Sequence, residues 1–196
     1  MRTALGVIVF AGSSLLAFSA VLTTSAIAQD AAAVVAAEAA CGPPSVEFHI
    51  KTDTVQHPAA QPDPGKALLY VILDEKFQTV RAVTARLGMD GAWIGAVRGN
   101  SYLFFSTDPG EHHLCTDWVS GLLPTGRLVS LAHFTAEPDH VYYFRVRTSG
   151  GPSSYMKDSE RSASIDLILV DSDEGKLLVA SSPWSNSKPK HPQASK

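Results

Sequence analysis

The stretch Val141-Tyr142-Tyr143-Phe144-Arg145-Val146-Arg147-Thr148 decides the fold, because it alternates with a period of two. In an extended chain successive side chains leave opposite faces, so Tyr142, Phe144 and Val146 share one side and Tyr143, Arg145 and Arg147 the other. The first set is expected in a core. Outward from it, nine more short runs rich in Val, Ile, Leu, Phe, Tyr and Thr stand between turn residues. They are Val46–Ile50, Ala67–Leu73, Thr79–Leu87, Ala92–Val97, Ser101–Ser106, Glu111–Trp118, Leu128–Thr135, Ile165–Val170 and Lys176–Ser181. About ten short strands at near-regular spacing, with hardly any helical periodicity, predict an all-β fold, a single antiparallel β-sandwich. Asp90-Gly91, Gly99-Asn100, Asp108-Pro109-Gly110 and Asp173-Glu174-Gly175 read as the turns of a hairpin meander, because glycine reaches positive φ at little cost and proline presets φ. Leu114, Trp118, Ile165, Leu167 and Leu169 are expected to join the core.

The front of the chain has a different character. Met1-Arg2-Thr3 is followed by an apolar run from Ala4 to Leu22 and then by Ala26-Ile27-Ala28. A basic start, a hydrophobic stretch and a small-x-small site predict a signal peptide over 1–28, cleaved after Ala28. An uncleaved membrane anchor is the competing reading, disfavoured because Gly6, Gly12, Ser13 and Ser14 dilute the run. Residues 29–43 form an Ala-rich linker, too short in alanine alone to hold a helix in water. The β-sandwich domain is expected over 44–184, and the polar stretch 185–196, with Pro189 and Pro192, as a disordered tail. The protein is therefore expected in the periplasm or outside the cell, with no stable membrane anchor after cleavage.

With 16 basic and 19 acidic residues the chain is mildly acidic, and loss of the leader removes Arg2 and no acid, so no nucleic-acid partner is expected. The two cysteines, Cys41 and Cys115, are expected to form one disulfide in an oxidising compartment.

The densest cluster of reactive side chains is Glu111-His112-His113-Leu114-Cys115-Thr116-Asp117-Trp118. On a strand, Glu111, His113, Cys115 and Asp117 share a face, and His133 or His49 offers a further imidazole. Glu111, His113 and His133 are thus the metal candidates, although residues two apart on one strand lie along a line, Cys115 is taken by its expected disulfide, and an ordinary solvent-facing strand is the favoured reading. The chain has no Gly-x-Ser-x-Gly elbow and no zinc-protease helix motif, so no catalytic residue is named. Asp171, Asp173 and Gly175 faintly resemble a calcium loop, but a tight turn accounts for them. Trp93, Tyr102, Trp118 and Tyr143, with Arg145, are the candidates for a sugar- or peptide-binding surface, although most strand aromatics simply pack. No cofactor is expected.

The segments Asp90-Gly91-Ala92-Trp93, Pro109-Gly110-Glu111-His112 and Tyr142-Tyr143-Phe144-Arg145 together resemble a bacterial family of secreted domains of unknown function, over roughly residues 44–182. A fainter likeness to PEGA-type surface domains rests on the same Asp-Gly and Pro-Gly-x-His pattern. The resemblance implies an exported β-sandwich of the bacterial envelope and no established reaction. The expected role is a non-enzymatic binding or structural module whose partner is an unidentified envelope protein or polymer. The alternative is an envelope enzyme or metal-binding protein using the Glu111, His113 and His133 region.

Overall fold

The computed structural model describes residues 39–58, 60–75, 83–119, 128–149 and 164–190. The leader and residues 29–38 of the expected linker lie outside these. The described chain is mostly β, with ten strands in two sheets and one short helix. The strands are β1 (Phe48–Asp53), β2 (Ala67–Leu73), β3 (Thr84–Met89), β4 (Ala92–Arg98), β5 (Ser101–Thr107), β6 (Gly110–Trp118), β7 (Leu128–Ala136), β8 (Val141–Ser149), β9 (Ser164–Val170) and β10 (Trp184–Pro189). The helix α1 (Ser172–Ser181) lies between β9 and β10. One sheet has the order β1-β10-β5-β2-β8-β9, the other β4-β3-β6-β7.

The meander expectation survives at Asp90-Gly91. There φ values of 51° and 84° make the tight turn that joins β3 to its antiparallel neighbour β4. Gly99-Asn100 and Asp108-Pro109-Gly110 instead carry the chain from one sheet to the other, since β5 belongs to the first sheet and β4 and β6 to the second. Nor is the pairing purely antiparallel: β2 runs parallel to β8, and β10 parallel to β5.

β2 shows how the sequence organises this. Every residue of Ala-Leu-Leu-Tyr-Val-Ile-Leu is buried, as in a strand covered on both sides. Alternation sends Ala67, Leu69, Val71 and Leu73 into one apolar cluster and Leu68, Tyr70 and Ile72 into another. The first cluster is fed by both sheets: Phe144, Val146, Ile165 and Leu167 from one, and Leu87, Leu114, Trp118 and Phe134 from the other. Hydrogen bonds also join the sheets at their margins. The Leu167 N–H donates to Ser130 Oγ at 3.1 Å, and the Ala96 N–H donates to Ser187 Oγ at 3.0 Å.

Four expectations are corrected. Lys176–Ser181 is helix, and so is the Asp173-Glu174-Gly175 turn before it. The Asp171 carboxylate caps α1 by accepting from the Asp173 and Glu174 N–H groups at 2.9 and 3.0 Å, which accounts for the calcium-like spacing. The tail is not wholly irregular, because β10 pairs along its length with β1, while residues 191–196 lie outside those described. The linker is not free at its end, since Ala40 and Cys41 are buried. Leu169 is 51% exposed, on the outer strand β9.

The helix covers the face of the first sheet opposite the shared core. Its close approach depends on Gly175, where a Cβ would stand 2.1 Å from Tyr143 Cγ. Arg145 fastens the same corner. Its Nε donates to Asp74 Oδ2 at 2.8 Å and its Nη1 to Glu174 Oε1 of the helix.

Candidate functional site

Three regions hold the residues singled out from sequence. The first is the outer face of the second sheet beneath the N-terminal segment. Here Cys41 and Cys115 form the expected disulfide, with a Cα separation of 5.2 Å. The segment from Ala40 to Val46 lies against β3, β4 and β6, and Ala40, Cys41, Trp93 and Cys115 form a small buried cluster. Gly42 meets the Trp93 ring so closely that a Cβ would sit 2.4 Å from Cδ1. The Trp93 indole N–H donates to the Pro43 carbonyl at 2.7 Å.

Beside the disulfide, Arg86 is buried and ion-paired to Asp117, their side chains only 8% and 2% exposed. Its Nη1 donates to the carbonyls of Pro44 and Val46 at 2.9 and 2.6 Å, and its guanidinium lies 4.3 Å from the Trp93 ring centroid. A desolvated cation over an indole face is worth about 2 kcal/mol. Trp93 is therefore part of a brace rather than an exposed platform. The face shared by Glu111, His113, Cys115 and Asp117 is divided accordingly: the first two are exposed and the last two are covered by this segment.

The second region lies under α1. Tyr70, Tyr102 and Tyr143, from the neighbouring strands β2, β5 and β8, pack together, Tyr70 stacking on Tyr143 with ring centroids 5.3 Å apart. With Lys176 and Val179 of the helix and His57 of the loop after β1 they line a cavity of about 240 Å³. That is smaller than the roughly 300–1,000 Å³ of sites for drug-sized ligands. Burial raises the pKa of all three phenols, and for Tyr102 and Tyr143 the neighbouring Tyr70 adds to it, so they are neutral donors at physiological pH. The Tyr102 hydroxyl is enclosed and has no hydrogen-bond partner among the described residues. Removing an unsatisfied buried hydroxyl relieves a desolvation penalty. Tyr102→Phe is therefore expected to leave stability unchanged or to raise it by up to about 1 kcal/mol in a urea melt, against the usual cost of a core substitution.

Two of the sequence candidates, Tyr102 and Tyr143, thus meet at one place, buried and not exposed. Arg145 is engaged by Asp74 and Glu174. Tyr70, the centre of the group, was missed by the sequence reading, although the fully apolar character of its strand pointed to burial on both faces.

The third region is the open half of β6 and β7. These strands pair residue for residue from Gly110–Ala136 to Trp118–Leu128, and the register sets His113 directly opposite His133. Both are exposed, and their ring centroids are 4.8 Å apart. Glu111 is exposed on the same face two positions along. At the base of this corner Asp90 accepts from the His113 backbone N–H at 2.9 Å and meets His112 Nδ1 at 2.6 Å. Burial opposes the charge on His112, but the hydrogen bonds to Asp90 and to the Asp108 carbonyl, with the charges of both aspartates, outweigh it and raise its pKa. Burial likewise opposes the charge on Asp90, and its bonds with His113 and His112 prevail, lowering its pKa. His49, in β1, is on the first sheet and not part of this corner. Among the described residues no group of three or more His, Cys, Asp or Glu side chains is placed to hold a metal ion together.

The chain matches no protein-family model, and neither a curated protein nor a solved structure is found to be significantly similar to it.

Proposed function

We propose that this protein is an exported, non-enzymatic binding or structural module of the cell envelope, in which the two sheets close as one sandwich braced by the Cys41–Cys115 disulfide. The observation that carries the reading is this bond and what it holds. Both cysteines are buried, and they join the segment just after the expected leader to the middle of the second sheet. Such a brace is compatible with an oxidising compartment and would be reduced in a typical cytosol. The apolar leader over residues 1–28 supports the same compartment, and the kinship with exported envelope domains belongs to this proposal. The partner is an envelope protein or polymer. Among the described residues no helix is long and apolar enough to cross a membrane.

Two experiments test the two halves of the reading. Residues 1–28 fused to a phosphatase that is active only after export are expected to give active enzyme, and a reporter retained in the cytosol would count against export. The mature protein is expected to give no turnover across a broad hydrolase panel. Reproducible turnover that is lost in His113→Ala and His133→Ala variants would replace the module with an enzyme.

A further inference from the structure

We propose that His113 and His133 form an open two-imidazole site for a divalent first-row transition-metal ion, copper(II) above nickel(II) and zinc(II). This goes beyond the module reading and does not require export. An ion bound at about 2.0–2.1 Å from a ring nitrogen lies roughly 3.2 Å from the ring centroid, so two imidazoles held cis, at about 90–110°, have centroids roughly 4.5–5.2 Å apart. The observed separation of 4.8 Å falls inside that interval.

The support is rigid. The two histidines are direct cross-strand partners in a ladder paired along nine residues of each strand, so the backbone spacing is fixed before any ion arrives. The flanking side chains face inward and anchor the strands: Leu114 is fully buried beside His113 and Phe134 nearly so beside His133. Asp90 holds the His113 backbone through its N–H. Ligands set on paired strands keep their geometry better than ligands on loops, which lowers the ordering cost of binding. Solvent exposure of both rings leaves the remaining coordination positions to water, and Glu111 contributes a negative charge to the same face.

Imidazole nitrogen suits copper, nickel and zinc, and with two ligands and no enforced geometry the intrinsic order of affinity, copper highest, governs the choice. A site of this kind differs from the row of ligands along β6 considered from sequence. Its two donors come from directly opposed positions on adjacent strands, with rings 4.8 Å apart, where residues two apart on one strand lie along a line.

The test titrates the full mature chain, disulfide intact, with copper(II), nickel(II) and zinc(II) separately, reading copper by electron paramagnetic resonance and zinc by histidine ring shifts in NMR. The expected result is one copper per chain with nitrogen hyperfine structure from two imidazoles. His113→Ala and His133→Ala should each weaken binding at least about tenfold, the smaller loss that removal of even a supporting residue behind a metal ligand brings. The double variant should be little worse than either single one, because the chelate is already broken. His49→Ala and His140→Ala serve as controls and should change nothing. Both target residues are exposed, so unchanged circular dichroism verifies the fold of each variant. Copper binding that is indifferent to His113 and His133, or two-imidazole coordination that is absent from the spectrum, would overturn the proposal.

Discussion

Replacing Arg86 with methionine is expected to destabilise the protein by about 3–5 kcal/mol, the usual cost of removing one partner of a buried ion pair. Asp117, whose side chain is 2% exposed, would lose the guanidinium opposite it. The carbonyls of Pro44 and Val46 would lose their donor as well, so the N-terminal segment should loosen along with the pair. The direction of the double substitution is the more discriminating result. Arg86→Met with Asp117→Leu removes both charges, and buried pairs exchanged for apolar residues of similar size are often neutral in stability. The double variant should therefore be clearly more stable than Arg86→Met alone in urea melts monitored by Trp fluorescence. The pair is also not fully satisfied, since Arg86 Nε has no acceptor among the described residues. If the single and double variants unfold at the same urea concentration, the ion pair is not the source of the loss.

The second large effect belongs to the disulfide. Cys41 and Cys115 are 74 residues apart, and constraining a loop of that size in the unfolded chain stabilises the native state by about 4 kcal/mol in the chain-entropy account. Cys41→Ala with Cys115→Ala should lose most of that in equilibrium unfolding, and a reductant should have a similar effect on the natural sequence while leaving the variant unchanged. The losses from Arg86→Met and from the missing disulfide should not add. Both act on the segment from Ala40 to Val46, and once it is released the second change has less left to remove. Strict additivity would mean that the segment is held by something other than these two anchors.

Much of the β architecture is legible in the sequence because alternation is a local property. Phe144, Val146, Leu114, Trp118, Ile165 and Leu167 are buried as their periodicity indicates. The failures have physical causes. Leu177-Leu178-Val179-Ala180 is a short apolar run of the kind that suits strand and helix equally. The deciding signal stood just before it, in Asp171 three residues ahead of Glu174, which is the pattern of a capped helix start. β10 escaped notice because Ser185-Asn186-Ser187-Lys188 is polar; it is held by backbone pairing with β1, and Ser185 Oγ meets Ser101 Oγ at 2.8 Å. Leu169 alternates correctly with Ile165 and Leu167, but near the end of the outer strand β9 it is half exposed, beyond the part of that face that the second sheet covers.

The sites were less legible than the fold. Trp93 and Arg86 look like surface residues until the segment from Ala40 to Val46 is laid across them, and those contacts span 40 to 50 residues of chain. Tyr102 and Tyr143 were legible as aromatic strand residues, but their meeting depends on β5, β2 and β8 lying side by side in one sheet, an order not given by chain neighbours. His113 and His133 stand opposite one another only in the register β6 and β7 adopt. A shift of one residue would have sent His133 to the core side and Phe134 into solvent.

Export is proposed to remove the leader from a chain that the Cys41–Cys115 bond then braces. Peptide mapping without reductant, on protein recovered from the cells that make it, tests that in a single measurement. The expected result is an N-terminus at Gln29 and a peptide carrying Cys41 linked to one carrying Cys115. An intact Met1 leader together with two thiols open to alkylation would contradict it.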